Sequence, residues 1–170
     1  NGSYKEEEIF LNPLSWYVEN KIFLHAGKRA AGLLRRAKVV FGEDGRPEPY
    51  DKLIIATGSR PYIPHMEGVT MPDGSFKPGV FVFRTLEDCR AIAEYAKGKR
   101  TAAVIGGGLL GLEAARGLQN FGLEVSVVHL ASYLMGAQLD APAGAILKTS
   151  MEKLHVKVLL EQNTTAVLGK

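Results

Sequence analysis

The chain has 170 residues, 46% hydrophobic and 23% charged, with 21 Lys and Arg against 18 Asp and Glu for a net charge of +3. That composition supports a buried core and excludes intrinsic disorder, and the length suits one ordinary domain or two small lobes. A single cysteine, Cys89, excludes an internal disulfide and any metal-spaced Cys/His set, no apolar run approaches the ~18 residues of a membrane helix, and no basic stacked-aromatic pattern argues for nucleic acid.

In chain order, Asn12 and Pro13 predict the N-cap and first position of a short helix over 13–19. Short β segments are expected near 21–25, 28–33 and 37–42, with the hairpin signal Asp44-Gly45 after them. A buried strand is expected at 50–56, Tyr-Asp-Lys-Leu-Ile-Ile-Ala, completing a small β-meander. Gly58, Pro61, Pro64, Gly68, Pro72 and Gly74 then mark a connection, with Val80–Phe83 as a short strand. Thr85, with Asp88 three residues later, predicts a capping-box start for a helix that Gly98 ends. Beyond it the pattern alternates: strand 101–106, helix 109–121, strand 124–130, helix 138–154, strand 156–160. Such alternation predicts an α/β fold with a Rossmann-like parallel sheet and helices on both faces. Three regions follow: a lobe with a β-meander over 1–64, a connection over 65–83, and a nucleotide-binding domain over 84–170.

The junction of the first strand and helix of that second domain carries the chemistry. Gly106, Gly108 and Gly111 form G-x-G-x-x-G directly after Ala102-Ala103-Val104-Ile105 and open the helix. Gly106 permits a tight turn, Gly108 lets a backbone approach a pyrophosphate, and Gly111 lets the helix lie close on the strand. N–H groups at the helix start, with the dipole behind them, suit phosphate. The candidate cofactor-binding set is therefore Gly106, Gly107, Gly108, Leu109, Leu110 and Gly111. At the end of the next strand an acid would bond the ribose 2′-OH of NAD, and here His129 stands instead. His129 either meets the 2′-OH or a 2′-phosphate or only caps the strand end, which leaves NAD against NADP open.

Earlier in the chain, Ala56-Thr57-Gly58 ends the apolar run Leu53-Ile54-Ile55 and is stiffened downstream by Pro61 and Pro64. Ala-Thr-Gly, followed after about fifty residues by G-x-G-x-x-G-x-E, resembles the two-dinucleotide flavoproteins of the pyridine nucleotide-disulfide oxidoreductase superfamily. The resemblance implies FAD against Ala56, Thr57 and Gly58, and NAD(P)H at the later fingerprint. It further implies that Arg84, in Phe83-Arg84-Thr85-Leu86-Glu87-Asp88, approaches the FAD diphosphate, and that Glu113 lies near the nicotinamide–flavin contact as the sole catalytic candidate. Without the resemblance, Arg84 reads as a solvated strand end and Glu113 as a helix-surface acid.

Leu134-Met135-x-x-Gln138-Leu139-Asp140, with Ala143-Gly144, is similar to the large subunits of NAD(P)H nitrite reductases. His155 departs from that pattern, which has Gly there to end the helix. The resemblance implies hydride transfer from NAD(P)H to FAD and onward electron transfer, to the rest of the same polypeptide or an acceptor protein. It also implies that 1–64 is a partial FAD-binding lobe whose first β-α-β precedes residue 1, that the NAD(P)-binding domain over 84–170 is incomplete at its C-terminus, and that sirohaem and an iron–sulfur cluster follow residue 170. No metal ligand is assigned within the chain. A cytoplasmic setting is expected, and homodimerisation is one assembly the reading allows. NADH:rubredoxin or ferredoxin reductases, NADH oxidases and a non-catalytic dinucleotide-binding module remain alternatives that share the same motifs.

Overall fold

The computed structural model describes residues 9–169. These fall into two units, one ending at Ser59 and the other beginning at Arg60.

In the first unit, α1 spans Leu14–Glu19. Its N-cap is Pro13, one residue later than the expected Asn12, and no side chain caps it. A three-stranded antiparallel meander follows, β1 Ala30–Leu34, β2 Val39–Gly42 and β3 Pro47–Pro49, in that order. The Asp44-Gly45 turn joins β2 to β3, with Gly45 at φ +78° and the Asp44 carboxylate accepting the Arg46 N–H at 3.2 Å. That hydrogen bond is the main reason the Asp44 pKa lies below its ordinary value.

Two of the strands expected in this unit are not formed. Residues 21–25 make no ladder, and neither do residues 50–56. The run Leu53-Ile54-Ile55 has strand composition, but a strand exists only through a neighbour that takes up its N–H and C=O groups. Ile54 is 88% exposed and Ile55 70%, so this run joins no core among the described residues. The third strand forms earlier, where Val39 faces Pro49 and Phe41 faces Pro47. Proline is tolerated there because β3 is an edge strand.

The second unit begins with residues that pack against its own tail. The Glu67 N–H donates to the Thr165 carbonyl at 2.9 Å and the Val167 N–H returns a bond to Glu67 at 2.7 Å. Val69 is buried, and Lys77 Nζ donates to the Gly169 carbonyl at 2.6 Å. Val80–Phe83 forms no strand. The capping box at Thr85 is present as expected, and α2 runs Leu86–Ala96.

The parallel sheet then forms in sequential order from β4 Thr101–Ile105, β5 Glu124–Val128 and β6 Val156–Leu159, linked through α3 Leu109–Gln119 and α4 Ala141–Lys153. Register sets Val104 beside Val127 and Val127 beside Val158, so one face carries Ala102, Val104, Val125, Val127, Val156 and Val158. Leu112 and Ala115 of α3 and Met151 of α4 join these valines in the core. The opposite face carries Ala103, Ile105 and Lys157, all exposed. Helices on both faces were expected, whereas α3 and α4 both serve the valine face. Sequential strand order with right-handed crossovers produces that one-sided arrangement.

The start of α4 differs from expectation. Residues 138–140 precede the helix, because the Gln138 and Leu139 N–H groups both donate to the Met135 carbonyl, at 2.8 and 2.9 Å. Asp140 then caps the helix by accepting the Ala143 N–H at 3.0 Å, with Pro142 in the first turn. At the other end His155 adopts φ +62°, the left-handed conformation that glycine adopts without strain.

Candidate dinucleotide site at the glycine turn

β4 delivers the chain into the glycine turn, and each glycine there answers a different demand. Gly106 adopts φ +115°, and its N–H donates to the Val128 carbonyl at 2.9 Å, so the turn starts as an extension of the β4–β5 ladder. A Cβ on Gly111 would collide with the Gly106 carbonyl, so α3 reaches this depth only without a side chain there. Gly107 is buried, and a Cβ on it would lie 2.5 Å from Leu134 Cδ2 and 2.9 Å from His129 Cγ. Gly108 is the exception. It is exposed, has an ordinary φ of −84°, and a Cβ there would meet nothing within 4 Å. Neither backbone strain nor packing within the protein requires glycine at 108. A body outside the chain, approaching the N-terminus of α3, would require it.

Gly108 is the N-cap of α3 and offers no side-chain cap. The N–H groups of the first helical turn have no intrahelical partners, and the dipole of an eleven-residue helix lies behind them. Open space, unsatisfied donors and positive potential converge here, which suits a diphosphate.

Beside this helix start, a depression of ≈ 280 Å³ is lined by Phe83, Arg84, Thr85, Leu86, Cys89, Leu110 and Glu113. Arg84 and Glu113, distant in sequence, therefore share one depression, with Leu110 of the first helical turn between them and the glycine turn. The capping box fixes the start of α2 on its side. Thr85 Oγ1 accepts the Asp88 N–H at 3.1 Å, and Asp88 Oδ2 accepts the N–H groups of Thr85 and Arg84 at 2.8 and 3.0 Å. The Thr85 N–H is the main cause holding the Asp88 carboxyl below its ordinary pKa, so this acid is spent on the backbone that carries Arg84.

His129 does not stand free at its strand end. Its Nδ1 accepts the Gly107 N–H at 3.1 Å. Ala56, Thr57 and Gly58 lie in the first unit, in an irregular exposed stretch with Gly58 at φ +71°. Neither the depression beside α3 nor the smaller one in the meander includes them.

Sequence reasoning missed Cys89 as a lining residue, and it missed the support beneath the turn. Leu134, fully buried, packs under Gly107, and the Met135 N–H donates to the Gly107 carbonyl at 2.9 Å. Gly144 lets α4 approach this support, since a Cβ there would lie 2.8 Å from Tyr133 and 2.9 Å from the Leu134 carbonyl. Leu134, Met135 and Gly144 enter the sequence analysis only through a resemblance. Among the described residues no cluster of three His, Cys, Asp or Glu side chains could hold a metal, and no helix is long and apolar enough to cross a membrane.

Comparison with known proteins identifies the family. Residues 2–170 match the family described as pyridine nucleotide-disulphide oxidoreductase. The nitrite reductase [NAD(P)H] of Bacillus subtilis (strain 168) is 45% identical over 99% of this chain and 20% of its own length. The assimilatory nitrate reductase electron transfer subunit of the same organism is 41% identical over 99% of this chain and 21% of its own length. The chain thus spans about a fifth of these relatives. Among solved structures, putidaredoxin reductase in its covalent complex with putidaredoxin superposes with a TM-score of 0.86 at 25% identity, covering 99% of this chain and 40% of that one. The chain belongs to the pyridine nucleotide-disulphide oxidoreductase family, whose members use FAD and NAD(P)H.

Proposed function

We propose that this chain holds NAD(P)H at the Gly106–Gly111 turn and forms the electron-input part of a flavin-dependent oxidoreductase like the NAD(P)H nitrite reductases. One observation carries the reading. Of the glycines in the turn, Gly106, Gly107 and Gly111 are required by the protein's own backbone or packing, whereas nothing within the chain requires glycine at 108, which a diphosphate approaching the start of α3 would.

The residues divide the work. The N–H groups at the start of α3, from Gly108 to Leu110, hold the diphosphate. Phe83, Leu86 and Leu110 supply apolar walls to the adjoining depression and exclude water from it. Arg84 offers only donors and an ionised Glu113 only acceptors, so the pair orients a polar ligand edge between them. NAD(P)H, when bound, supplies a hydride, which FAD accepts in the family. Ala56, Thr57 and Gly58 are the residues of this chain proposed to lie against FAD. Electrons then leave toward another part of the same polypeptide or a separate acceptor protein, as the names of the similar nitrate reductase subunit and of the putidaredoxin complex describe for those proteins. A homodimer and a cytoplasmic setting complete the proposal.

Isothermal titration of the purified protein with NADH and with ADP-ribose tests it. Saturable binding of both, near one per chain, is expected. Absence of heat with either ligand, with the protein folded by circular dichroism, overturns the reading.

A further inference from the structure

We infer that His129 is a positioning residue of the phosphate turn, and that it sets the Gly107 peptide without reading the ribose 2′ group. This rests on the dinucleotide reading above and goes beyond it by reassigning the residue at the position that distinguishes NAD from NADP.

His129 Nδ1 accepts the Gly107 N–H at 3.1 Å, so in the neutral ring Nε2 carries the proton. The residue is anchored on both backbone sides. Its N–H donates to the Leu159 carbonyl at 2.8 Å, and its carbonyl accepts the Gln162 N–H at 3.0 Å. These two bonds fix the backbone that carries the ring, and the Gly107 N–H orients the ring itself.

Gly107 is gripped from every side. Its N–H goes to His129, its carbonyl accepts from Met135 at 2.9 Å, and its Cα face lies against Leu134 and the imidazole. The preceding N–H, of Gly106, is bound to Val128. Consecutive N–H groups, 106 and 107, are therefore taken up by consecutive residues, 128 and 129. Gly108 follows them at the N-cap of α3, with open space where its side chain would stand. The hydrogen bond that His129 accepts from Gly107 marks where the ladder stops and the proposed anion-binding donors begin.

The chemistry explains why an imidazole suits this place. A carboxylate at 129 could accept the same N–H, but it would bring negative charge against a diphosphate. Neutral imidazole accepts the bond without that charge. The side chain is also committed to the turn, which removes it from the role of choosing between a 2′-hydroxyl and a 2′-phosphate.

The test compares wild type with His129→Asn, His129→Gln and His129→Phe in the full-length chain. Dissociation constants for ADP, NADH and NADPH are measured, together with melting temperatures. Asn Oδ1 stands where Nδ1 stands and can accept the Gly107 N–H; the Gln amide reaches the Nε2 position; Phe offers no acceptor. Asn should keep ADP affinity within about twofold, while Gln and Phe lose on the order of tenfold, the worth of one hydrogen bond in the turn. The NADH to NADPH ratio should stay constant in all variants. If Phe fails to fold, the contrast between the two amides still decides. A changed ratio with unchanged ADP affinity makes His129 a ribose reader and overturns the inference, and so does equal ADP affinity in Asn and Gln. A wild type that binds none of the three ligands overturns the dinucleotide reading itself, a result distinct from either.

Discussion

The Gly106 carbonyl occupies the space that a Cβ on Gly111 would need. The first and last glycines of the motif are thus in contact with each other, and the contact sets how deeply α3 rests on the end of β4. Gly111→Ala should push the helix outward and destabilise the protein by about 1–3 kcal/mol, the range for overpacking a well-filled site. Urea unfolding checks this through the midpoint. A variant as stable as wild type would mean that α3 accommodates the methyl without moving.

The capping box gives a pH prediction with a definite sign. Asp88 has its pKa lowered in the folded protein, chiefly by the Thr85 N–H, with desolvation opposing it and the Arg84 N–H adding a lesser lowering. Its stabilisation is complete above the unfolded value of about 3.9 and is lost as pH falls through the lower, folded value. Asp88→Asn should reduce the dependence of stability on pH below 4, followed by urea midpoints at successive pH values. Some slope should persist, because Asp44 and Asp73 are shifted in the same direction by their own turn hydrogen bonds. Thr85→Ala should cost about 1 kcal/mol at neutral pH through loss of the N-cap.

His155 pays a backbone penalty after α4, at φ +62°. A left-handed conformation costs a non-glycine residue about 1–2 kcal/mol, and glycine returns part of that through its looser unfolded chain. His155→Gly should therefore stabilise the protein by roughly 0.5–1 kcal/mol, read as a rise in melting temperature. A fall would show that the imidazole makes a stabilising contact that outweighs the strain.

Arg84 and Glu113 share a depression, and their proposed work concerns the reacting end of the ligand. On the proposed function, Glu113→Gln should slow flavin reduction by NADH at least severalfold while leaving ADP affinity unchanged, since ADP is expected to occupy the glycine turn alone. Stopped-flow absorbance separates the two. Weakened ADP binding with a normal reduction rate would move Glu113 out of the reaction region.

The parallel half of the fold was legible because its signals are local and agree with one another. Val125, Val127, Val156 and Val158 alternate as strand residues with one buried face, Thr85 and Asp88 cap α2, and the glycines turn β4 into α3. The strand expected at 50–56 was not formed because strand composition specifies no partner, and Leu53-Ile54-Ile55 pairs with nothing among the described residues. The start of α4 was set three residues early because apolar periodicity ran on through Leu139, whereas Asp140 and Pro142 fix the true beginning. In the candidate site the glycines were readable from spacing. The bond between His129 and Gly107 was not, since it joins residues 22 positions apart whose types only suggest that one can accept and the other donate.

Gly108→Val tests the central claim most directly. A side chain at 108 points into open space, so the variant should melt within a few degrees of wild type. If that space belongs to a diphosphate, NADH and ADP-ribose affinity measured by calorimetry should fall at least tenfold. A stable variant that binds both ligands as tightly as wild type would contradict the placement of the dinucleotide at this turn.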